Sequence, residues 1–354
     1  MNKRIIIVII LLLGSSTSLW AQTSCERSLD EAKADYANGN LYAVPGKLTD
    51  CLEDGYTKTE KVEALRLLTL TYININQQEK AKETLIRLLK LKTDYQAVRN
   101  VDPSELYSLY KKIDTDIKYF IGITLGTNLN SVRPVLYRSA FPIETTHPQY
   151  SARIATPQVG FQYLYPLNKS FIVGAEIQFQ NQRYSYSESF DYEDRNSNFV
   201  TYDSNNNGIN LNLIFRYMKD FYTCKPFVEL GSTARTNLTY DIINYTNNFE
   251  RVVDEENIIE SEENINERVS VYTRRSTFNF ALNANLGSMI KVRENYVEIK
   301  FGVSNYFRNH LNSKGREEAY TTTLLDGGFI KEDDRLNLLY QINFTFNIPF
   351  FNFQ

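Results

Sequence analysis

The sequence predicts an α+β membrane protein, in which a transmembrane eight-stranded antiparallel β-barrel follows a small α-helical periplasmic domain. Three observations lead to this fold class. Apolar residues recur at helical spacing up to about residue 115, and at every second position from residue 116 onward. The links between the predicted strands alternate between short and long, as in outer-membrane barrels. The first residues show the order of charge and apolar character that marks an exported chain.

Residues 1–21 are predicted to be a signal peptide. Two basic residues are followed by an aliphatic run over residues 5–13 and by small residues up to Ala21, which is the order of a secretory leader. The run is too short to cross a bilayer, for which about 20 residues are needed. Acylation of Cys25 is the alternative, but the Gln-Thr-Ser before it lacks the aliphatic residue that such sites usually carry. We therefore expect cleavage after Ala21.

The composition limits the classes of function. The formal net charge of -3 is too small to indicate nucleic-acid binding. A charged fraction of 23% and a mean hydropathy of -0.39 are values of a soluble protein. The 25 Tyr and 21 Phe, against a single Trp, indicate otherwise, because aromatic residues are enriched at membrane interfaces.

Residues 22–115 are predicted to form the helical domain. Apolar residues recur every three or four positions along residues 60–76 and 78–92. A last helix is predicted to start at Asp102, which serves as the N-cap, is followed by proline, and has Glu105 as the capping-box glutamate.

Part of this domain resembles a tetratricopeptide repeat. The matching residues are Leu65, Leu68, Tyr72, Ala81 and Leu85. A looser copy precedes them and departs from the pattern at Pro45, where the repeat has alanine. The resemblance implies a small solenoid with a concave surface for a peptide or protein.

The helical domain is therefore expected to bind an envelope protein. The exposed residues that we expect to contact this partner lie around Tyr36, Tyr42 and Tyr56. The alternative is that the helices only brace the periplasmic mouth of the barrel.

The cysteines predict a structural disulfide. Cys25 and Cys51 fall in the first two predicted helices, and an exported chain meets oxidants. A redox-active pair is the alternative, but the sequence has no CxxC motif. Cys224 lies far from both along the chain.

Residues 116–354 are predicted to form the barrel. Eight segments alternate between apolar and polar or small residues, over 117–126, 159–165, 173–179, 209–217, 228–235, 278–286, 297–303 and 336–348. Short links are predicted at 166–169, 219–224 and 292–295, and long links at 130–150, 188–205, 242–270 and 311–334. With an even number of strands, both ends of the barrel and the short turns face the periplasm.

The alternation predicts which side chains face the barrel interior. The charged residues expected there are Glu176, Arg216, Glu229, Arg235, Glu298 and Lys300. An eight-stranded barrel is just wide enough for its own side chains, so we expect these charges to pair and fill the lumen. A water-filled pore is the alternative.

Aromatic residues are predicted to form interfacial girdles. Those expected at the periplasmic rim are Tyr163, Tyr165, Tyr217, Phe221, Tyr222 and Tyr296. Those expected at the outer rim are Tyr184, Tyr186, Tyr240, Tyr272, Tyr306 and Phe307.

The pattern of the barrel segment resembles the small outer-membrane β-barrel family that includes PorT-like proteins. The ending Phe350-Phe351-Asn352-Phe353-Gln354 resembles the aromatic C-terminal strand that barrel-assembly machinery recognises. The resemblance covers about two thirds of the chain. It implies the fold and an outer-membrane location, and hardly anything about activity.

Few residues suggest chemistry. The acidic stretch 249–267 and residues 203–208 lack the spacing of a calcium loop, so we expect solvated loops and no metal. The two histidines, His147 and His310, fall in predicted outer loops. His147 with Asp203 and Ser204 resembles the residue types of lipid A palmitoyltransferases only loosely. We expect no catalytic residue and no cofactor.

The expected function is a non-catalytic anchor in outer-membrane lipid. Its helical domain would bind a partner in an envelope secretion, uptake or barrel-assembly complex. The second hypothesis is a small porin or a ligand-binding barrel that acts through its extracellular loops, and the third is a lipid-modifying barrel enzyme.

Overall fold

The structure is a computed structural model that describes most of the chain. The described residues are 18–136, 149–152, 155–192, 195–219, 221, 224–254, 257–265, 268–308, 311–315 and 334–353. The chain divides into a helical unit, Met1–Ile117 with Phe351–Gln354, and a barrel unit, Lys118–Phe350. The predicted signal peptide, residues 1–21, lies outside the described residues except for its last four.

The described part of the helical unit contains five α-helices. They are α1 Ser18–Ala37, α2 Val44–Glu53, α3 Lys58–Asn74, α4 Gln78–Leu91 and α5 Ser104–Tyr110. None of these helices is both long and apolar enough to cross a bilayer. Helix α3 begins with a capping box, in which Glu60 N donates to Thr57 Oγ1 at 3.3 Å and Thr57 N donates to the Glu60 carboxylate at 2.7 Å.

The start of α5 differs from the prediction. The helix begins at Ser104, and no side chain caps it. Asp102, the predicted N-cap, instead accepts a hydrogen bond from Val98 N at 2.8 Å and pairs with the Arg66 guanidinium at 2.7 Å. Asp102 therefore ties the segment before α5 to helix α3, because this ion pair and backbone donor occupy its carboxylate.

A first buried cluster holds α1, α2 and α3 together. Leu29, Leu48 and Leu68 are among its members, and each is at most 3% exposed. Cys25 and Cys51 form a disulfide with an Sγ–Sγ distance of 2.04 Å. This bond links α1 to α2 covalently at the edge of the cluster.

A second buried cluster joins α3, α4 and α5 and includes the end of the chain. Leu85 and Leu106 are fully buried in it, and Phe353 is 8% exposed among them. The Phe351 and Phe353 rings stack with centroids 5.4 Å apart. Phe351 and Phe353 therefore pack within the helical unit, whereas the sequence prediction placed residues 116–354 in the barrel.

The barrel unit is a closed ring of antiparallel strands. Its described strands are β1 Ile117–Leu136, β2 Gln149–Ala152, β3 Thr156–Pro166, β4 Phe171–Tyr192, β5 Arg195–Met218, β6 Cys224–Asp254, β7 Asn257–Ile265, β8 Val269–Ser270, β9 Phe278–Val292, β10 Asn295–Tyr306 and β11 Asp334–Phe351. The ring runs in the order β4-β3-β1-β11-β10-β9-β6-β5 and closes through the pairing of β4 with β5. Eight described strands thus form the wall, while β2 pairs with β4, and β7 and β8 pair with β6.

The barrel is apolar outside and polar inside. In β3 the burial of side chains alternates from Thr156 to Tyr165. Phe161 faces outward and is 65% exposed, whereas Gln162 faces inward and is 1% exposed. A water-soluble core has the opposite arrangement, so this outer surface is suited to contact with hydrocarbon.

Two of the predicted long loops are largely strand. Strands β4 and β5 pair as far as Tyr192 and Arg195, within the predicted loop 188–205. Strand β6 continues to Asp254 and pairs with β7, within the predicted loop 242–270. These polar stretches extend the barrel hairpins, because the backbone of each strand hydrogen-bonds to the backbone of the adjacent strand. Polar composition alone does not reveal such strand pairing. Most of the loops predicted at 130–150 and 311–334 lies outside the described residues.

Candidate functional site

The lumen of the barrel contains a buried ion-pair network. Arg216 of β5 lies opposite Glu229 of β6 in the strand register. Its guanidinium donates to the Glu229 carboxylate at 2.6 and 3.0 Å and to the Glu298 carboxylate at 2.8 and 2.9 Å. All three side chains are at most 2% exposed. One arginine therefore joins three strands, β5, β6 and β10, across the interior.

A second cation extends this network. Lys300 Nζ lies 3.4 Å from the Glu229 carboxylate and 3.5 Å from the Glu176 carboxylate. Arg216 and Lys300 thus face three glutamates, which leaves the network one negative charge in excess. The Arg216 guanidinium also lies 3.8 Å from the centroid of the Phe227 ring, a cation–π contact.

Arg235 is held by neutral groups. It donates to Asn237 Oδ1 at 2.8 Å, to Gln180 Oε1 at 3.0 Å and to Asn210 Oδ1 at 3.1 Å. It is 1% exposed. The six charged residues predicted to face inward are therefore all buried in the lumen.

The cavity beside this network is small. A cavity bordered by Glu176, Glu229 and Lys300 has a volume of about 10 Å³, which is about the space of one water molecule. Amide side chains fill the neighbouring levels, as where Gln158 Nε2 contacts Asn343 Oδ1 and Gln162 Nε2 donates to Asn347 Oδ1 at 3.2 Å.

Tyrosines and arginines fill the half of the barrel away from the short turns. Tyr184, Tyr202 and Tyr240 are each 1% exposed and belong to one buried cluster. The Arg335 guanidinium lies 4.5 Å from the Tyr184 ring centroid, and that of Arg275 lies 4.5 Å from the Tyr240 ring centroid. This tyrosine cluster forms a second packed layer in the lumen.

Several predicted girdle residues are inside the barrel. Tyr184, Tyr186, Tyr296 and Tyr306 are at most 5% exposed. Each lies an even number of positions from an inward-facing residue of its strand, so its side chain also faces the lumen. Tyr240 faces inward because the register with β5 shifts by one residue between Asn237 and Thr239, and such a bulge moves every following side chain to the other face. The assignment of Tyr184, Tyr186, Tyr240 and Tyr306 to the outer girdle was therefore wrong, and so was that of Tyr296 to the periplasmic girdle. The aromatics near the short turns that do face outward are Tyr163, Tyr165, Tyr217 and Phe221.

The predicted partner-binding tyrosines differ in exposure. Tyr42 is 81% exposed. Tyr56 is 6% exposed in the first buried cluster, and burial raises the pKa of its hydroxyl. Tyr36 is half-buried and its hydroxyl accepts a hydrogen bond from Asn74 Nδ2 at 2.9 Å. The expected exposure of Tyr56 was therefore wrong, because its ring is needed to pack the helices.

The helical unit has a cleft that the sequence did not indicate. The cleft measures about 330 Å³ and is lined in part by Ala97, Tyr107, Tyr110 and Lys111. Lys111 Nζ lies 5.6 Å from the Tyr107 ring centroid. The segment after α4 forms one side of the cleft. Apolar residues in this segment show only weak periodicity, so the sequence does not predict a cleft there.

Of the residues considered for catalysis, the structure describes Asp203 and Ser204. His147 and His310 lie outside the described residues. Asp203 and Ser204 lie within β5, at most 8% exposed, and Asp203 accepts hydrogen bonds from Ser185 Oγ at 2.8 Å and Asn244 Nδ2 at 2.9 Å. Across the described residues, no group of three or more His, Cys, Asp or Glu is placed to hold a metal ion.

No family model matches the chain, and no curated protein matches it in sequence. Solved structures that align with it include Ail, the attachment invasion locus protein of Yersinia pestis, at 9% identity and a TM-score of 0.29, covering 66% of this chain and 100% of that one. Neisserial surface protein A aligns at 11% identity and 0.28, covering 66% and 97%. The outer membrane protease OmpT from Escherichia coli aligns at 10% identity and 0.31, also covering 66% and 97%. Similarities this distant carry no argument about function. A function can be inferred only from the filled lumen, the apolar outer surface and the helical unit.

Proposed function

We propose that this protein is a non-catalytic anchor in the bacterial outer membrane, whose tetratricopeptide-like helical unit binds a protein partner in the periplasm. The observation that carries the proposal is the filled lumen. Because the cavity beside the ion-pair network holds about 10 Å³, the network leaves neither a solute path nor a ligand chamber at this level. The barrel then serves to hold the chain in lipid.

The exposed apolar belt supports the membrane placement. Outward residues of successive strands, such as Leu211, Leu230, Leu286 and Phe344, are between 46% and 61% exposed. A closed barrel satisfies its backbone hydrogen bonds within the ring, which is the condition for crossing a bilayer with strands. An apolar surface of this extent is stable only when lipid covers it.

The construction of the helical unit supports a binding role. Its helices are fixed by the Cys25–Cys51 disulfide and by two buried clusters. On this rigid support lie the exposed Tyr42 ring and the cleft at Tyr107 and Lys111. Aromatic side chains with a nearby cation are typical anchors for a protein partner. We propose that the partner is a component of an envelope secretion, uptake or barrel-assembly complex.

Affinity purification of the tagged full-length protein from native envelopes, followed by mass spectrometry, tests this proposal. We expect one envelope protein in near-stoichiometric yield. Tyr42→Ala combined with Tyr107→Ala should lower its recovery by about tenfold, which corresponds to about 1.4 kcal/mol. Lys82→Glu, at an exposed position of α4, is the control and should change nothing. Recovery of no envelope protein, or equal recovery with all variants, contradicts the proposal.

The pore hypothesis has a separate test. Wild-type protein in planar bilayers should give no steady unitary currents, because the ion-pair network closes the lumen. Reproducible channels would favour the porin hypothesis over the anchor.

A second candidate function is binding through the outer hairpins. Strand β6 has 31 residues and β5 has 24, whereas about 9–11 residues are enough to cross the bilayer. The surplus length extends these hairpins well past the apolar belt. Replacing residues 250–261 by an Asn-Gly turn leaves the barrel ring intact, so loss of the captured protein in that variant would favour the hairpins over the helical unit.

A further inference from the structure

The three short turns of the barrel carry exposed basic side chains. Lys169 lies in the turn between β3 and β4, Lys219 follows β5, and Lys291 and Arg293 lie at the turn between β9 and β10, all with exposed side chains. We call these four residues the basic rim. The same turns contain two acidic residues, Asp220 and Glu294, so the turns keep a positive excess.

An aromatic belt lies directly beside the basic rim on the outer surface. Its exposed rings include Tyr165, Tyr217 and Phe221, at 46%, 48% and 52% exposure. Lys219 follows Tyr217 by two positions, about 7 Å along the strand direction. Its Nζ lies 5.1 Å from the Phe221 ring centroid. Since such rings occupy the level of lipid headgroups, the cations of the rim lie at or just beyond that level.

One stretch of the barrel away from the short turns has an acidic sequence. Residues 247–267, which include the β6–β7 hairpin, contain eight acidic residues and one basic residue. The positive excess in the turns therefore does not reflect an excess of positive charge over the whole chain, whose formal net charge is -3. The exposed cations of the short turns lie next to the aromatic belt along the chain.

We propose that the basic rim binds the phosphate groups of anionic phospholipids in the leaflet next to the short turns. A phospholipid suits both parts of the surface, because its acyl chains cover the apolar belt while its headgroup meets the cations. A free phosphate ion would use only the rim. A basic residue near an anionic lipid surface contributes about fivefold to binding. The inference rests on the proposed membrane placement.

Native mass spectrometry of the full-length protein measures this preference. The protein is exchanged into mixtures of phosphatidylglycerol and phosphatidylcholine with identical acyl chains, and retained lipids are counted. The rim variant is K169Q/K219Q/R293Q. The matched control is K82Q/R87Q/K90Q, which removes two lysines and one arginine from exposed positions of α4. A charge-conserving variant, K169R/K219R/R293K, tests whether the rim variant fails through misfolding.

The proposal expects wild type, the control and the charge-conserving variant to retain phosphatidylglycerol in preference to phosphatidylcholine. The rim variant should lose at least about fivefold of that preference. Equal retention of both lipids by wild type, an equal loss in the control, or displacement of the lipid by inorganic phosphate would overturn it. Failure to insert into bilayers of any composition would instead contradict the membrane placement.

Discussion

Replacing Arg216 by methionine tests the buried network most directly. Arg216 donates four hydrogen bonds of 2.6–3.0 Å to the Glu229 and Glu298 carboxylates. The wild-type network has two cations and three carboxylates, and the variant keeps Lys300 alone against three carboxylates. Its formal excess negative charge therefore rises from one to two beside a cavity with space for about one water molecule. Removing one partner of a buried ion pair costs about 3–5 kcal/mol, and we expect a loss of this size.

The triple variant R216M/E229Q/E298Q should recover most of that loss. It leaves Lys300 and Glu176 as a balanced pair, 3.5 Å apart in the wild type, and neutral isosteres of a buried ion pair are often tolerated. Arg235→Met is the control, because its hydrogen-bond partners are neutral amides and its removal leaves no carboxylate behind. We expect it to cost about 1–3 kcal/mol.

Reversible urea unfolding in detergent micelles, followed by circular dichroism and gel mobility, gives the free energy of each variant. The reasoning is refuted if R216M costs no more than R235M, or if the triple variant is no more stable than R216M. Either result would mean that the carboxylates are not held by Arg216.

Three further predictions concern the helical unit, and each is measured by thermal or chemical unfolding of the full-length protein. Reducing the bond between Cys25 and Cys51, 26 residues apart, should lower stability by about 3 kcal/mol through the entropy of the unfolded chain, whereas a Cys25→Ser/Cys51→Ser variant should be insensitive to reductant. Burial opposes ionisation of Asp102, but a backbone hydrogen bond and the pair with Arg66 outweigh it and lower the pKa of its carboxyl. A carboxyl whose pKa is lowered by folding stabilises the fold above its ordinary pKa, and this stabilisation is lost as the pH falls through the folded pKa. Asp102→Asn should therefore cost about 1 kcal/mol at pH 7 and progressively less as the pH is lowered below 4, whereas a cost independent of pH would contradict the assignment. Phe353→Ala should destabilise the helical unit by about 3 kcal/mol, and a loss confined to the barrel transition would show that Phe353 belongs to the strand.

The barrel ring was predictable because its signal is local. In a strand, every second side chain shares a face, so Glu176, Arg216 and Glu298 could be assigned inward from position alone. The same rule places Tyr184 and Tyr306 inside, and assigning them to the outer girdle gave aromatic character more weight than position. Position is the stronger criterion within a regular strand, because reversing a side chain requires a bulge.

The features that escaped prediction depend on contacts distant in sequence. The bulge at Leu238 is defined by the pairing of β6 with β5, and no residue type marks it. The burial of Phe353 depends on helices more than 240 positions earlier in the chain. The other buried members of its cluster all lie between Leu70 and Ile113. Aromatic residues at the end of the sequence suggested a terminal strand, but they fit equally well into a helical core.

The bulge also bears on the function of the barrel. Without the register shift, Tyr240 would point toward lipid and the Arg275 guanidinium would lose the ring that lies 4.5 Å from it. With it, the half of the lumen away from the short turns is packed by tyrosines and arginines, while the other half is packed by the Arg216 network. Two chemically different layers therefore fill one narrow interior, and a solute would have to displace both. A barrel filled at two levels is poorly suited to transport and well suited to anchoring a chain in the membrane, which supports the proposal that binding is the role of the helical unit.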